Sequence, residues 1–261
     1  MSDELIVVKI GGATLGSHDT AIEDIVKLQG QGQSVLVVHG GGKLITDWLQ
    51  KQDISTSFVG GERVTDKPTL EVATAVLAGL VNKDITAAIN NQGGRAVGIS
   101  GVDGAVIEGK ISDPEKGYVG AVVRVNTALL ESLLDAGFVP VVAPIGQNTG
   151  DKQADDPLTL NFNADVAAGE IAAAIGAERL IFLTDVEGVG DESGKLIPRL
   201  TQAEAEALLD SGVASGGMIP KIKACLTALS STPSTCIIDG RQAHALLMEI
   251  KESGGGTTIS K

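Results

Sequence analysis

Two lysines stand near opposite ends of the chain, each set among glycines: Lys9 ahead of Gly11 and Gly12, and Lys221 behind Gly216, Gly217 and Met218. Glycine-rich turns let backbone N–H groups approach an anion, and a nearby ammonium adds mobile positive charge. The pair points to phosphoryl transfer. A lysine inside the apolar run Ile6 to Ile10 is costly unless its ammonium emerges at the strand end or meets an anion. The alternative is a lysine snorkelling from an edge strand.

Four further constellations carry chemical types. His39-Gly40-Gly41-Gly42-Lys43 joins an apolar strand to the amphipathic segment from Leu44, which places bare amides at a positive helix start. The spacing is neither a Walker A loop nor a Rossmann fingerprint. His39 reads as a satisfied strand-end histidine rather than a general base. Arg63, in Gly60-Gly61-Glu62-Arg63-Val64-Thr65-Asp66, suits bidentate carboxylate binding, or else pairs at the surface with Glu62 or Asp66. In Asn161-Phe162-Asn163-Ala164-Asp165, alternation puts both asparagines on one strand face and Asp165 in the first helical turn. There it either stabilises the helix start or positions lysine ammonium groups. Finally, Thr184-Asp185-Val186-Glu187-Gly188-Val189 after an apolar strand, and Val213 to Lys221 further on, carry small residues that leave room for a nucleotide, the alternative being that each loop is only a turn.

Short aliphatic runs closed by Gly, Asp, Ser or His predict strands over Leu5 to Ile10, Val35 to His39, Ala96 to Ser100, Val139 to Ile145, Leu180 to Asp185 and Cys236 to Asp239. Helical periodicity marks Ala21 to Leu28, Leu44 to Lys51, Leu70 to Asn90, Ala128 to Ala136, Ala164 to Ile175 and Ala203 to Leu209. The alternation predicts an α/β fold with a mainly parallel, doubly wound open sheet between helical layers. Ala105 to Asn126 predicts a hairpin near one sheet edge, and Asn148 to Asn163 a second hairpin leading into a helix capped around Asn163 or Asp165. No repeat or low-complexity linker interrupts the chain, so any two lobes share one continuous sheet.

The 261 residues suffice for one large domain or two tightly packed lobes. Hydrophobic content of 43% with 2% aromatics predicts aliphatic packing and argues against disorder and against membrane insertion. A net charge of −13 would repel a nucleic-acid backbone, so an anionic small molecule must be held by local positive charge and amides. Cys225 and Cys236 show no metal or redox spacing, and Met1 to Glu4 carry no targeting signal, which predicts a cytoplasmic protein with reduced thiols.

Taken in order, Lys9-Ile10-Gly11-Gly12, His39 to Gly42, Arg63 to Asp66, Asn161 to Asp165, Thr184-Asp185-Val186 and Gly216 to Lys221 resemble the amino acid kinase family. Asn82-Lys83, Gly98 to Gly101 and Ile237 to Arg241 extend the likeness from Leu5 almost to the C-terminus. The branch it resembles phosphorylates the side-chain carboxylate of N-acetyl-L-glutamate with ATP, an early step of arginine biosynthesis. The resemblance implies a single three-layer αβα domain over residues 1–261, with an acyl amino acid lobe over about 1–175 and an ATP lobe over about 176–261. It makes Lys9 and Lys221 transition-state stabilisers organised by Asp165, and gives Gly11, Gly12, Gly41 and Gly42 to phosphoryl oxygens and substrate. Arg63 and Asn161 would grip the acyl amino acid. Asp185 to Val189 and Val213 to Ser215 would line the ATP site, with Mg²⁺ held by the nucleotide phosphates rather than by a side-chain metal site.

Glu62 departs from the apolar residue usual before the family's arginine, which bears on substrate preference. Family members inhibited by arginine carry an extra N-terminal helix that links dimers into a hexameric ring; with four residues ahead of the first strand, the expectation is a homodimer without strong arginine feedback. A same-fold kinase acting on carrier-linked aminoadipate or glutamate would need a basic docking surface, which the −13 charge disfavours. A non-catalytic nucleotide or amino-acid sensor is the remaining alternative, although both lysines and Asp165 are present.

Overall fold

The computed structural model describes residues 5–11, 20–151, 155–252 and 255–261. In chain order its strands are β1 (Ile6–Ile10), β2 (Val35–His39), β3 (Phe58–Val59), β4 (Glu62–Arg63), β5 (Ala96–Ser100), β6 (Ile107–Ile111), β7 (Val119–Val125), β8 (Val139–Ala143), β9 (Ile145–Asn148), β10 (Thr159–Phe162), β11 (Arg179–Thr184), β12 (Arg199–Thr201), β13 (Ser234–Asp239) and β14 (Thr257–Ser260). The helices are α1 (Ala21–Gly30), α2 (Gly42–Lys51), α3 (Lys67–Thr74), α4 (Asn82–Asn91), α5 (Ala128–Asp135), α6 (Ala164–Ile175), α7 (Gln202–Asp210), α8 (Met218–Ala228) and α9 (Ala245–Glu252). A π-helical stretch, Ala75–Val81, joins α3 to α4.

The main sheet runs β12-β14-β13-β11-β1-β2-β8-β5. It is parallel except that β14 runs against β13, with β12 parallel to β14. β1, β2 and β8 are aliphatic on both faces because both faces are covered. Ile6, Val8, Ile10, Val35 and Val37 join a core built with α1, α2, α3, α4 and α9, whereas Val7, Leu36 and Val38 join the core of α5 to α8. These two faces make the αβα sandwich. Lys9 shares the parity of Val7 and so turns toward the second layer, where α6 lies.

The hairpin over Ala105 to Asn126 forms, as antiparallel β6 and β7, but not at an edge of the main sheet. It closes with β9 and β10 into a separate four-stranded barrel. Phe162 plugs this barrel: a Cβ at Gly109, Gly120 or Gly146 would collide with its ring. The run Val139 to Ile145 is likewise two strands, broken at Pro144, with the second half leaving the main sheet for the barrel. β9 and β10 supply the second hairpin, and Asn163 caps α6 by accepting from the N–H groups of Asp165 and Val166. A small third sheet, β3 with β4, turns at Gly60 and Gly61, whose φ angles of 60° and 82° suit a two-residue hairpin.

The continuous helical stretch Lys67–Asn91 is long and apolar enough to cross a membrane by length and composition. Here Val72, Ala73, Val76, Leu77, Val81, Ile85 and Ile89 pack into the first core. Cys225 and Cys236 are buried free thiols; burial pushes Cys225 up to about 12 and Cys236 up as well.

Candidate active site

Because the side chain of Asn163 already satisfies the start of α6, Asp165 is released from capping. Its Oδ1 lies 2.6 Å from Lys9 Nζ and its Oδ2 3.0 Å from Lys221 Nζ. β1 is central rather than an edge strand, and Lys9 is 6% exposed, so the snorkelling alternative does not describe it. Burial alone would push the Asp165 carboxyl up, but Lys9 and Lys221 outweigh it and hold the group below the ordinary carboxylate range. Two ammonium groups around one carboxylate leave a net positive charge beside a cleft of about 250 Å³.

Backbone contact between helices sets the Lys221 arm. On α6, Gly169 lies one turn after Asp165; on α8, Ala224 lies one turn after Lys221. A Cβ at Gly169 would sit 2.6 Å from the Ala224 carbonyl oxygen, so the missing side chain lets the two helices approach. Lys221 also donates to its own helix start, 3.3 Å from the Gly217 oxygen.

Lys9, Gly40, Gly41, Gly42, Arg63, Asn161, Asn163 and Asp165 line one cleft. Neither surface pair offered for Arg63 forms. Glu62 is engaged by Lys116, and Asp66 caps α3 through the N–H of Thr69. Arg63 is instead buried, stacked 4.8 Å over the Phe58 ring, and donates to Thr56 Oγ1, Thr46 Oγ1 and the Gly42 oxygen at 2.6 to 2.8 Å. These three bonds use three of its five N–H groups and leave two for a ligand. Burial lowers its pKa, and its acceptors are all neutral, so its charge has no carboxylate partner among the described residues.

Gly41 precedes the helix that opens at Gly42. A Cβ there would meet the Leu77 side chain at 2.7 Å, so glycine lets the long helix pack close without moving that leucine. His39 is fully buried, Nδ1 3.0 Å from the Gly40 oxygen and Nε2 3.2 Å from Asn82 Nδ2. Burial first, with help from the charges of Lys9 and Lys83, lowers it to about 4 and keeps the ring neutral. Asn82 also donates to the oxygens of Ile99 and Val141, tying its helix to β5 and β8.

The remaining sequence-predicted residues are placed unevenly. Gly12 lies outside the described residues. The Gly11 N–H donates to the Leu183 oxygen and so extends the β1–β11 ladder. Asp185, Val186 and Glu187 are exposed at the end of β11, and Ser215 is exposed before α8. Val189 and Ala214 are instead packed in the second core, and Gly188 presses on Leu196 and Thr257. Val213 is half-buried beside Ala214.

Spacing gave no warning of Thr46, Thr56 or Lys116, which reach the site from distant segments, whereas Asn82 entered through the family resemblance alone. Asn163 was visible through its shared face with Asn161. Among the described residues no group of His, Cys, Asp and Glu could hold a metal ion. Both oxygens of Asp165 already face ammonium groups, so the donor set fits phosphate oxygens better than a bare cation.

The sequence model of the amino acid kinase family matches residues 4–239. An acetylglutamate kinase of Dehalococcoides mccartyi is 47% identical over 259 residues, covering 99% of this chain and 95% of its own. The structure of N-acetylglutamate synthase from Neisseria gonorrhoeae, complexed with coenzyme A and N-acetyl-glutamate, is 27% identical with a TM-score of 0.84 over 100% of this chain and 60% of its own. Carbamate kinase from Giardia lamblia bound to AMP-PNP shares the fold, with a TM-score of 0.70 at 17% identity over 99% and 98% of the two chains.

Proposed function

Because the chain belongs to the amino acid kinase family, we propose that it transfers the γ-phosphoryl group of ATP to the side-chain carboxylate of N-acetyl-L-glutamate, giving an acyl phosphate and ADP. The observation that carries this reading is the Lys9–Asp165–Lys221 triad at the foot of a cleft whose wall holds Arg63 with two N–H groups to offer. The kinase name of relatives at close to half identity supports it, as does the acyl amino acid in the related synthase structure.

The acceptor carboxylate is ionised at neutral pH, so it needs no general base. That agrees with a buried neutral His39 and with an Asp165 whose oxygens both face lysines. Catalysis then reduces to alignment and charge stabilisation. Arg63 and Asn161 hold the acyl amino acid, and the N–H groups at the start of α2 face phosphoryl oxygens. Lys9 and Lys221 neutralise the charge that spreads over the transferring group, while Asp165 keeps the two ammonium groups from separating. Mg²⁺ would be held by the nucleotide phosphates rather than by a carboxylate cluster of the described residues, and would supply further neutralisation of phosphate charge.

Residues of about 1–175 supply the acyl amino acid side and about 176–261 the nucleotide side, with Asp185, Val186, Glu187 and Ser215 nearest the nucleotide. We assign the protein to the cytoplasm and to arginine biosynthesis. We also propose a homodimer, for which Leu80, 39% exposed on the long apolar helix, offers contact surface. ADP release would be followed with Mg-ATP and N-acetyl-L-glutamate, glutamate, aspartate or N-acetylaminoadipate, trapping acyl phosphate with hydroxylamine. Turnover confined to acetylglutamate is expected, and silence across the panel would overturn the reading.

A further inference from the structure

Glu62 puts a carboxylate on the wall of a cleft that has to admit anions, immediately beside the arginine that attracts them. Its Oε2 lies 2.6 Å from Lys116 Nζ, contributed from 54 residues away by the turn between β6 and β7. The two side chains are 26% and 20% exposed, so the pair is partly shielded from solvent at the cleft lip. The hydrogen bond to Glu62 outweighs burial and, with the charges of Glu62 and Asp113, holds the Lys116 ammonium above its ordinary pKa.

The backbone fixes this meeting. The Thr65 N–H donates to the Lys116 oxygen at 2.9 Å, and the Tyr118 N–H to the Thr65 oxygen at 2.7 Å. Gly117, at φ 67°, allows a crossing so close that a Cβ would collide with Thr65. From there the Asn161 N–H donates to the Tyr118 oxygen, and Asn161 Nδ2 lies 3.3 Å from Thr65 Oγ1. Lys116 thus sits on a short crossing that joins the hairpin carrying Arg63 to the strand carrying Asn161.

The charges lining the cleft, Lys9, Glu62, Arg63 and Asp165, can be paired off against their neighbours. Asp165 is answered by Lys9 and Lys221, with one positive charge left over. Glu62 is answered by Lys116, which leaves Arg63 as a second uncancelled positive charge. Without Lys116, Glu62 would stand as an uncancelled negative charge on the cleft wall that also carries Arg63, where the local dielectric is below that of water.

We propose that Lys116 is a specificity-determining residue, whose ammonium neutralises Glu62 at the cleft wall and so keeps the acyl amino acid site open to a dicarboxylate. The proposal rests on the acetylglutamate reading and adds a residue that assigns it its charge selectivity. Lys116 touches Glu62, not the reacting atoms, so its effect belongs in acceptor binding.

The test compares wild type, Lys116→Met, Lys116→Arg, Glu62→Gln and the double variant Glu62→Gln/Lys116→Met. KM for N-acetyl-L-glutamate, KM for ATP and kcat would be measured from 50 to 500 mM KCl. Lys116→Met is expected to raise the acetylglutamate KM roughly tenfold, at an unchanged KM for ATP, with the loss shrinking as salt rises. Lys116→Arg keeps the charge and retains the wild-type KM, and the double variant recovers most of the loss. An unchanged KM in Lys116→Met would overturn the proposal. So would a double variant as weak as Lys116→Met at every salt concentration, which would make the contact a mechanical tie. Wild-type silence with acetylglutamate would instead sink the proposed reaction; calorimetric affinity for N-acetyl-L-glutamate across the same proteins would then decide the charge argument.

Discussion

Asp165 faces an ammonium with each oxygen and so is held ionised at neutral pH; its work is to keep Lys9 and Lys221 together. Lys9→Ala or Lys221→Ala is therefore expected to lower kcat ~10²-fold, as loss of one electrostatic stabiliser does in other enzymes. Hydroxylamine-trapped acyl phosphate reads the change, and near-normal turnover in either variant would remove that lysine from the mechanism. His39 makes a separate prediction about stability. Its folded pKa of about 4 lies below the ordinary 6.5, so the unfolded chain binds the proton more readily. The stability linked to His39 is full above pH 6.5 and is lost as pH falls toward 4, by roughly 3 kcal/mol in all. Asp165, with its pKa depressed, adds its own loss only as pH drops below the usual carboxylate range. Urea midpoints measured from pH 7 to 4 should fall steeply for wild type and less for His39→Gln. Parallel curves would show that the buried ring is not what titrates.

Helix α6 reaches the site only because Gly169 lets α8 lie against it. Alanine at an exposed helical position would be favoured by up to ~1 kcal/mol over glycine. Here the new Cβ meets backbone, which cannot swing aside, and such overpacking typically costs about 1–3 kcal/mol. Gly169→Ala is expected to lower the melting temperature and, by drawing Lys221 away from Asp165, to lower kcat with little change in the acetylglutamate KM. Lost stability with an intact kcat would mean that this spacing does not align the lysine. The strands Val35–His39 and Ala96–Ser100 and the helix Ala164–Ile175 were legible to the residue, because aliphatic or alanine-rich runs there end at glycine. The barrel was not. Its parallel pairs, β7 with β10 and β6 with β9, join segments about 40 residues apart, and local periodicity carries no record of such pairing. Helix α8 was hidden by Pro220 and the two glycines before it, although proline is tolerated in a first turn. In the site, Lys9, Asn161 and Asp165 were legible as polar residues between apolar neighbours, and Arg63 as an arginine just after a double glycine. Thr46, Thr56 and Lys116 were not, since each acts through a tertiary contact.

Across the whole molecule, a chain of net charge −13 concentrates uncancelled positive charge in one cleft, and the proposed acceptor and donor reach it from opposite sides of Asp165. Arg63 lies on the acceptor side, held by the α2 end and the β3–β4 hairpin. Lys221 comes from α8, across the β11 end of the same sheet. If the two ligands use separate walls, their effects on global stability must separate as well. A ligand at 100 times its Kd stabilises the folded state by about 2.7 kcal/mol, which for a chain of this size corresponds to a rise in Tm of roughly 5–10 °C. Wild type should show such a rise with N-acetyl-L-glutamate and, independently, with a non-hydrolysable Mg-ATP analogue. Arg63→Ala is expected to lose the first shift and keep the second, whereas Lys221→Ala should weaken the nucleotide shift and leave that of acetylglutamate. Differential scanning fluorimetry on the two variants decides the matter. Equal loss of both shifts in both variants would mean that the cleft binds its ligands as one undivided site, and the assignment of acceptor and donor to different parts of the sheet would fall with it.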